Sequence, residues 1–243
     1  MNTDMLDDVL MQLAPTGVLR AGINVANTLL VTGRHISGQP VGIAPDIAAS
    51  VAEYLGISIA YVEFASPGDL IDAASSNTWD IGLIGIDLCR AQVVDFTAPY
   101  IEIDATYLVR SDSYIQSIGE VDRPGMQIAV SNRSAYDLYL TRHLSHASLY
   151  RADGLDAAVK LFTSNQLDAL AGLRPRLLSD KNVLRNTRLL SEKFTSVEQA
   201  IAIGKGKSDA FKYLCQHVEL IKSSKIVRQL MARHGVVGLS VPT

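Results

Sequence analysis

Short apolar runs alternate with helical patterns along the first ninety residues, and this restricts the chain to an α/β architecture with parallel strands. Val18–Asn24 (VLRAGIN) reads as a strand. Asp46–Leu55 follows with Ile47, Val51 and Leu55 spaced by four, one face of a helix. Ile57–Phe64 (ISIAYVEF) is a second strand, rich in β-branched and aromatic residues. Ser66-Pro67-Gly68-Asp69 reads as a helix start, with Ser as N-cap, Pro in the first turn and an acid three residues on. Asp80–Ile86 (DIGLIGI) is nearly continuous in apolar residues, as expected for a strand buried on both faces. A β-α-β-α-β order of this kind builds an α/β lobe with right-handed crossovers.

The pattern then repeats in shorter form. Gln127–Val130 is expected as a strand, Ser134–Leu144 as a helix, and a further helix from Asp153 or Gly154 to Thr163. Ala169–Gly172 is expected as a strand ending in a loop that holds Pro175, and Gln199–Ile203 as a late strand. Two helices, near Ser208–Ser223 and Lys225–His234, close the chain. No Gly/Ser tether separates the halves, so short extended crossings near Tyr107–Ser111 and Thr195–Gln199 are expected to join them. Strands that end in polar residues point to a ligand crevice at the carboxyl edges of the sheets.

Composition narrows the functional classes. The chain of 243 residues is 48% hydrophobic with a net charge of -3, so it carries no basic balance suited to nucleic acid or to an anionic membrane surface. No apolar stretch is long enough to span a bilayer, so direct membrane insertion is not expected. The N-terminus, MNTDMLDDVLMQLAPTG, is acidic where an export signal is basic and has no apolar core, so either an export signal has been removed or the protein is cytoplasmic as written, and the start at Met1 favours the second. Cys89 and Cys215 do not define a disulfide. His143 and His146 are too few to make a metal site, and Trp79 reads as edge packing. The chain has no P-loop, G-x-G-x-x-G, H-E-x-x-H or G-x-S-x-G, so no cofactor, metal or nucleophile is expected.

The run WDIGLIGIDLCRAQVVDFTAPY, Trp79–Tyr100, resembles the bacterial family 3 extracellular solute-binding proteins. The elements that carry the resemblance are Asp80, Arg90, Val94-Asp95-Phe96-Thr97, Pro99 and Tyr100. GVLRAG (Gly17–Gly22), GQPVGIAPDIAASVAEYL (Gly38–Leu55), Leu161–Pro175 and AIAIGKG (Ala200–Gly206) extend it over most of the chain. It implies a type II periplasmic-binding-protein fold, two-lobed with an interlobe cleft, with residues 1–109 and 197–243 as one lobe and 110–196 as the other. It also implies a small polar solute as ligand, an ABC-transporter permease as partner, and the periplasm, in tension with the N-terminus. The segment from Asp80 to Arg90 is about two residues shorter than the family pattern, with Asp87 in place of its polar cluster. The second-lobe acid that in the family holds an α-ammonium falls on Leu173.

These features yield the candidate ligand contacts. Arg90 is a fork-shaped, permanently charged clamp for a carboxylate, or alternatively a structural partner of Asp87 or Asp95. As a clamp, its replacement is expected to affect binding and not folding. Ser134 opens a helix, where free amides favour an anion, or it is a plain N-cap with Asp137 as its box partner. Asn132 and Arg133 flank that turn, and Asn27 follows the first strand. Asp87 either accepts from a ligand amine or orients Arg90. Leu173 offers an apolar wall where a charge is usual. The expected function is therefore binding of a small polar or anionic organic solute, without catalysis, in a transporter, sensor or carrier setting. Two alternatives stand beside it: a dehydratase-like enzyme on the same fold using a cleft acid, and an interaction protein with a degenerate pocket.

Overall fold

A computed structural model of the protein describes residues 3–243. Met1, the start residue that enters the expectation about location, lies outside the described residues. The described residues form two compact units, one of the residues up to Glu102 with Glu198–Thr243, the other Ile103–Val197.

The first unit begins with helix α1 (Thr3–Leu13) and strand β1 (Val18–Asn24), then a small hairpin of β2 (Gly33–Arg34) and β3 (Pro40–Val41). Helix α2 (Ile43–Leu55), strand β4 (Ser58–Phe64), helix α3 (Pro67–Asp72), strand β5 (Ile81–Gly85) and the short β6 (Val94–Phe96) follow. Strand β7 (Ile101–Arg110) carries the chain into the second unit. There β8 (Gln127–Ser131), α4 (Ala135–His143), β9 (Ser148–Ala152), α5 (Leu155–Ser164), β10 (Ala169–Leu173), α6 (Arg174–Val183) and β11 (Thr187–Leu189) succeed one another. Strand β12 (Thr195–Gly204) returns to the first unit, which ends with α7 (Ser208–Ser223) and α8 (Ile226–Arg233).

In the first unit the strands lie in the order β4-β1-β5-β12. The first three are parallel, with Ala21 opposite both Tyr61 and Ile81, and β12 runs antiparallel to β5 with Gln199 opposite Gly85. Every residue of β5 is buried, which is why that segment has no polar alternation. Asp80, just before it, is fully buried and takes the Arg20 backbone N–H (2.9 Å), its Nε (3.0 Å) and its Nη2 (2.7 Å). Trp79 lies over Gly22 and Gly82, where a Cβ would meet its ring or a Leu70 methyl at 3.0–3.5 Å, and donates from Nε1 to the Leu70 carbonyl (3.0 Å). Gly in these strands thus leaves room for one large ring.

In the second unit β9, β8 and β10 are parallel, β7 is antiparallel to β10, and β11 pairs with the far part of β7. Its core gathers Leu108, Ala129, Phe162, Leu167, Leu170 and Leu177.

Element boundaries differ from the sequence reading in three places with clear reasons. Helix α2 starts at Ile43, earlier than Asp46, because Gly42 precedes it and Pro45 sits in the first turn, where a missing N–H removes no bond. Gly154 is the N-cap of α5, which therefore begins at Leu155. Pro175 is not in a loop: it lies at the start of α6, a position that proline favours, so a whole helix replaces the expected irregular segment. Strands β9 and β11 escape the pattern because they are short and only partly buried.

A buried histidine ties α2 to α7. His217 is 3% exposed, and its Nε2 lies 2.8 Å from the Ser50 Oγ. The single Ser50 proton goes to the Ile47 carbonyl (2.7 Å), so His217 must donate from Nε2. Burial pushes the imidazole pKa down to about 4, from 6.5. The unfolded chain therefore binds a proton between those values that the folded one does not, so stability falls on acidification from about pH 6.5 towards 4 and is flat below. We expect wild type to lose about 1.5 kcal/mol more than His217→Gln between pH 6.5 and 5, measured by urea midpoints. Equal losses in the two proteins would show that His217 charges freely in the folded state.

Candidate functional site

In each unit the candidate residues gather where parallel strands end. In the first unit, β1 and β5 are neighbours in register, so the segments leaving them share one carboxyl edge. Asn27 lies on the first segment. Its Oδ1 accepts the Leu29 N–H (3.3 Å), and its carbonyl accepts those of Leu30 (3.0 Å) and Val31 (2.9 Å), so it organises a turn.

The second segment carries Asp87 and Arg90. Asp87 takes the Cys89 N–H on Oδ1 (2.8 Å), and its carbonyl takes that of Ala91 (2.9 Å). It thereby folds the short helical turn Arg90–Gln92. Arg90 is only 3% exposed, and its Nη1 donates to the carbonyl of Gly85, the last residue of β5, at 2.6 Å. Asp95 is paired with Lys205 (3.2 Å). The guanidinium is thus locked to the end of a buried strand, which restricts its rotamers and fixes its direction.

In the second unit, β8 and β10 are parallel neighbours, with Ala169 opposite Ile128. Asn132, Arg133 and Ser134 follow β8, and Leu173 closes β10, so these four residues also share a carboxyl edge. The Asn132 Nδ2 donates to Asp153 (3.1 Å) and its backbone N–H to Ala152 (2.9 Å). Arg133 adopts a left-handed φ of 55°. Ser134 is the N-cap of α4, its Oγ accepting the Asp137 N–H at 3.1 Å. Tyr136 is buried beneath the turn, bonded to Ser134 and Ser131, and burial pushes its phenol up to about 12.

Leu173 is 7% exposed. With Leu155, Tyr136, Arg176, Leu177 and Asp180 it lines a small cavity of about 10 Å³, room for a single water. The carboxylate there, Asp180, is held by the Arg176 Nε at 2.9 Å, and the same guanidinium reaches Asp156 at 2.5 Å. Burial nonetheless raises the Asp180 pKa.

Sequence reasoning missed Tyr136 and Arg151. Asp137 was read as the acid three residues after Ser134, whereas Arg151 sits on the unrecognised strand β9. Among the described residues, no group of three or more His, Cys, Asp or Glu is placed to hold a metal ion. Both cysteines are free, and His143 is exposed, stacked on Tyr139 with ring centroids 3.9 Å apart. No helix among the described residues is long and apolar enough to cross a membrane.

The family model for bacterial extracellular solute-binding proteins, family 3, matches residues 31–236. The chain belongs to that family. A curated relative, the amino-acid-binding protein AabA of Dichelobacter nodosus, is 22% identical over 174 residues, covering 70% of this chain and 69% of the relative. Among solved structures, an ancestral amino-acid-binding protein described as a precursor of cyclohexadienyl dehydratase superposes with a TM-score of 0.76 at 21% identity, covering 94% of this chain and 97% of that one. An amino-acid ABC transporter substrate-binding protein from Streptococcus pneumoniae, bound to L-arginine, superposes with a TM-score of 0.77 at 17% identity, covering 96% and 99%. The fold is accordingly that of the type II periplasmic binding proteins.

The burial of Arg90 changes what its replacement should do. A lysine cannot repeat the bond to Gly85 with the same planar fork. We expect Arg90→Lys to lower stability by about 1–3 kcal/mol, measured as a shift in urea midpoint at constant slope. An unchanged midpoint would mean that the guanidinium serves only an external partner.

Proposed function

We propose that this member of the family binds a small organic anion, with a carboxylate as the recognised group and no α-ammonium required. The observation that carries the reading is Leu173. It ends β10 with an apolar, nearly buried side chain, at the position where the resemblance calls for an acid. The nearest carboxylate in the cavity beside it, Asp180, is already engaged by Arg176. A buried ammonium without an acceptor carries a desolvation penalty of several kcal/mol or loses its proton. Arg90, anchored through Nη1, is the proposed carboxylate partner from the first unit. The Ser134 turn supplies the contact from the second, with Asn132 and Arg133 beside it. Asn27 and Asp87 act by shaping their own turns.

The neighbours described as amino-acid-binding, and the one bound to L-arginine, support a small polar solute as the general class. An ABC-type permease is the proposed partner on the same grounds. Binding without chemistry is part of the proposal. The relative described as a dehydratase precursor keeps the enzymatic alternative in view, but Asp87 commits one carboxylate oxygen to the Cys89 amide.

Isothermal titration with four matched pairs tests the reading: L-aspartate against succinate, L-glutamate against glutarate, L-alanine against propanoate, and L-phenylalanine against 3-phenylpropanoate. The ammonium-free acid is expected to bind at least tenfold more tightly in the pairs that bind. Micromolar binding of an L-amino acid without its deaminated partner would refute the proposal. Loss of that binding in Asp87→Asn would then assign the ammonium to Asp87.

A further inference from the structure

Between β8 and α4, three candidate contacts sit on one turn whose backbone is held from behind by a buried carboxylate. Asp137 is 2% exposed. Its Oδ2 accepts the backbone N–H of Arg133 (2.8 Å), and its own N–H donates to the Ser134 Oγ (3.1 Å). In an ordinary capping box the acid at this position reaches back to the N-cap amide. Here the Ser134 N–H goes to the Ser131 carbonyl (3.3 Å), and the acid reaches one residue further.

The other side of that carboxylate is clamped by Arg151 from β9. The Arg151 Nε lies 2.9 Å from Oδ1 and 3.2 Å from Oδ2, and its Nη2 donates to the Thr141 Oγ1 (2.7 Å). Thr141 in turn donates to the Asp137 carbonyl (2.8 Å), which leaves its oxygen free to accept from Arg151. The Asp137 oxygens therefore have fixed directions, set by two elements of the second unit.

What they hold is strained. Arg133 has a φ of 55°, a left-handed conformation that a residue with a Cβ adopts at a cost and glycine adopts freely. Strain of this kind persists only where the surroundings over-determine it. We propose that Asp137 and Arg151 are positioning residues: they fix the Arg133 amide in the left-handed turn and so set where Asn132, Arg133 and Ser134 meet the solute. This rests on the assignment of that turn as a solute contact.

The test is a double-mutant cycle of Asp137→Asn and Arg133→Gly, read by thermal melting, by amide hydrogen exchange over residues 131–136, and by titration with succinate. Asp137→Asn is expected to speed exchange in the turn at least tenfold and to weaken succinate binding about tenfold. The Tm loss it causes is expected to shrink by about 2 °C or more in the Arg133→Gly background, because glycine needs no restraint there. Additive Tm losses with unchanged exchange would overturn the proposal and leave Asp137 as an ordinary core ion pair. A coupled cycle in a protein that binds succinate with unaltered affinity would also overturn it, since the turn would be held for folding alone. If wild type binds neither succinate nor any other acid of the panel, the assignment of the solute fails, and the restraint on the turn stands or falls on the cycle and the exchange rates.

Discussion

The geometry of the first unit depends on one ion pair with a buried carboxylate. Asp80 has no solvent exposure, and it receives both a backbone amide and two guanidinium nitrogens from Arg20. Arg20 lies on β1 and Asp80 leads into β5, so the pair joins the two strands near their amino ends. Removing Arg20 would strand the Asp80 carboxylate in the interior, at a cost of about 3–5 kcal/mol. The return is register. In parallel strands a slip of one residue reverses every side chain, and β5 has no polar face to forbid it. The Asp80 carboxylate supplies that constraint, and register decides where the segments with Asn27 and Arg90 emerge at the opposite end.

The second unit shares the plan of parallel strands but fixes its carboxyl edge differently. No charge is buried at the amino end of β8 on the scale of Asp80. Asp168, just before β10, accepts the Gln127 N–H (2.8 Å) and joins the strand starts by a carboxylate-to-amide bond. The stronger restraint lies at the other end, where Asp137, Arg151, Tyr136 and the serines support the turn after β8. The first unit thus fixes its edge by register and the second by local hydrogen bonds.

Much of this was legible in the sequence, and the reasons for the rest are physical. Strand β1, α7 and the Ser66 cap of α3 follow from periodicity and capping, because in each the local preference and the burial agree. Helix α6 was hidden by Pro175, which reads as a breaker unless the helix is known to begin beside it. Arg90 was visible as a cation but not as a buried one, since burial comes from its bond to the end of β5, a relation no local pattern contains. Arg133 gave no signal at all: left-handed positions announce themselves through glycine or asparagine, and arginine there is exceptional. Its restraint from Arg151 crosses two elements, one of them a partly exposed edge strand with weak alternation.

The charge accounting at Leu173 shows why the departure from the family pattern carries information. An acid lost from a polar site is often replaced by another acid nearby, and the cavity beside Leu173 does contain one. Asp180, however, is bonded to the Arg176 Nε, and the Nη2 of the same guanidinium reaches Asp156, so the acid beside Leu173 already has its counter-charge. Arg176 therefore neutralises acids within the protein. Its removal would expose a cluster of like charges beside the apolar wall, which is a change of fold stability before it is a change of ligand. On the proposed function, an apolar wall and a satisfied acid would select by exclusion, admitting a group that needs no acceptor and penalising one that does. Such exclusion would need a wall that offers the solute no acceptor, and a leucine that is 7% exposed at the end of a fully buried strand is a side chain of that kind.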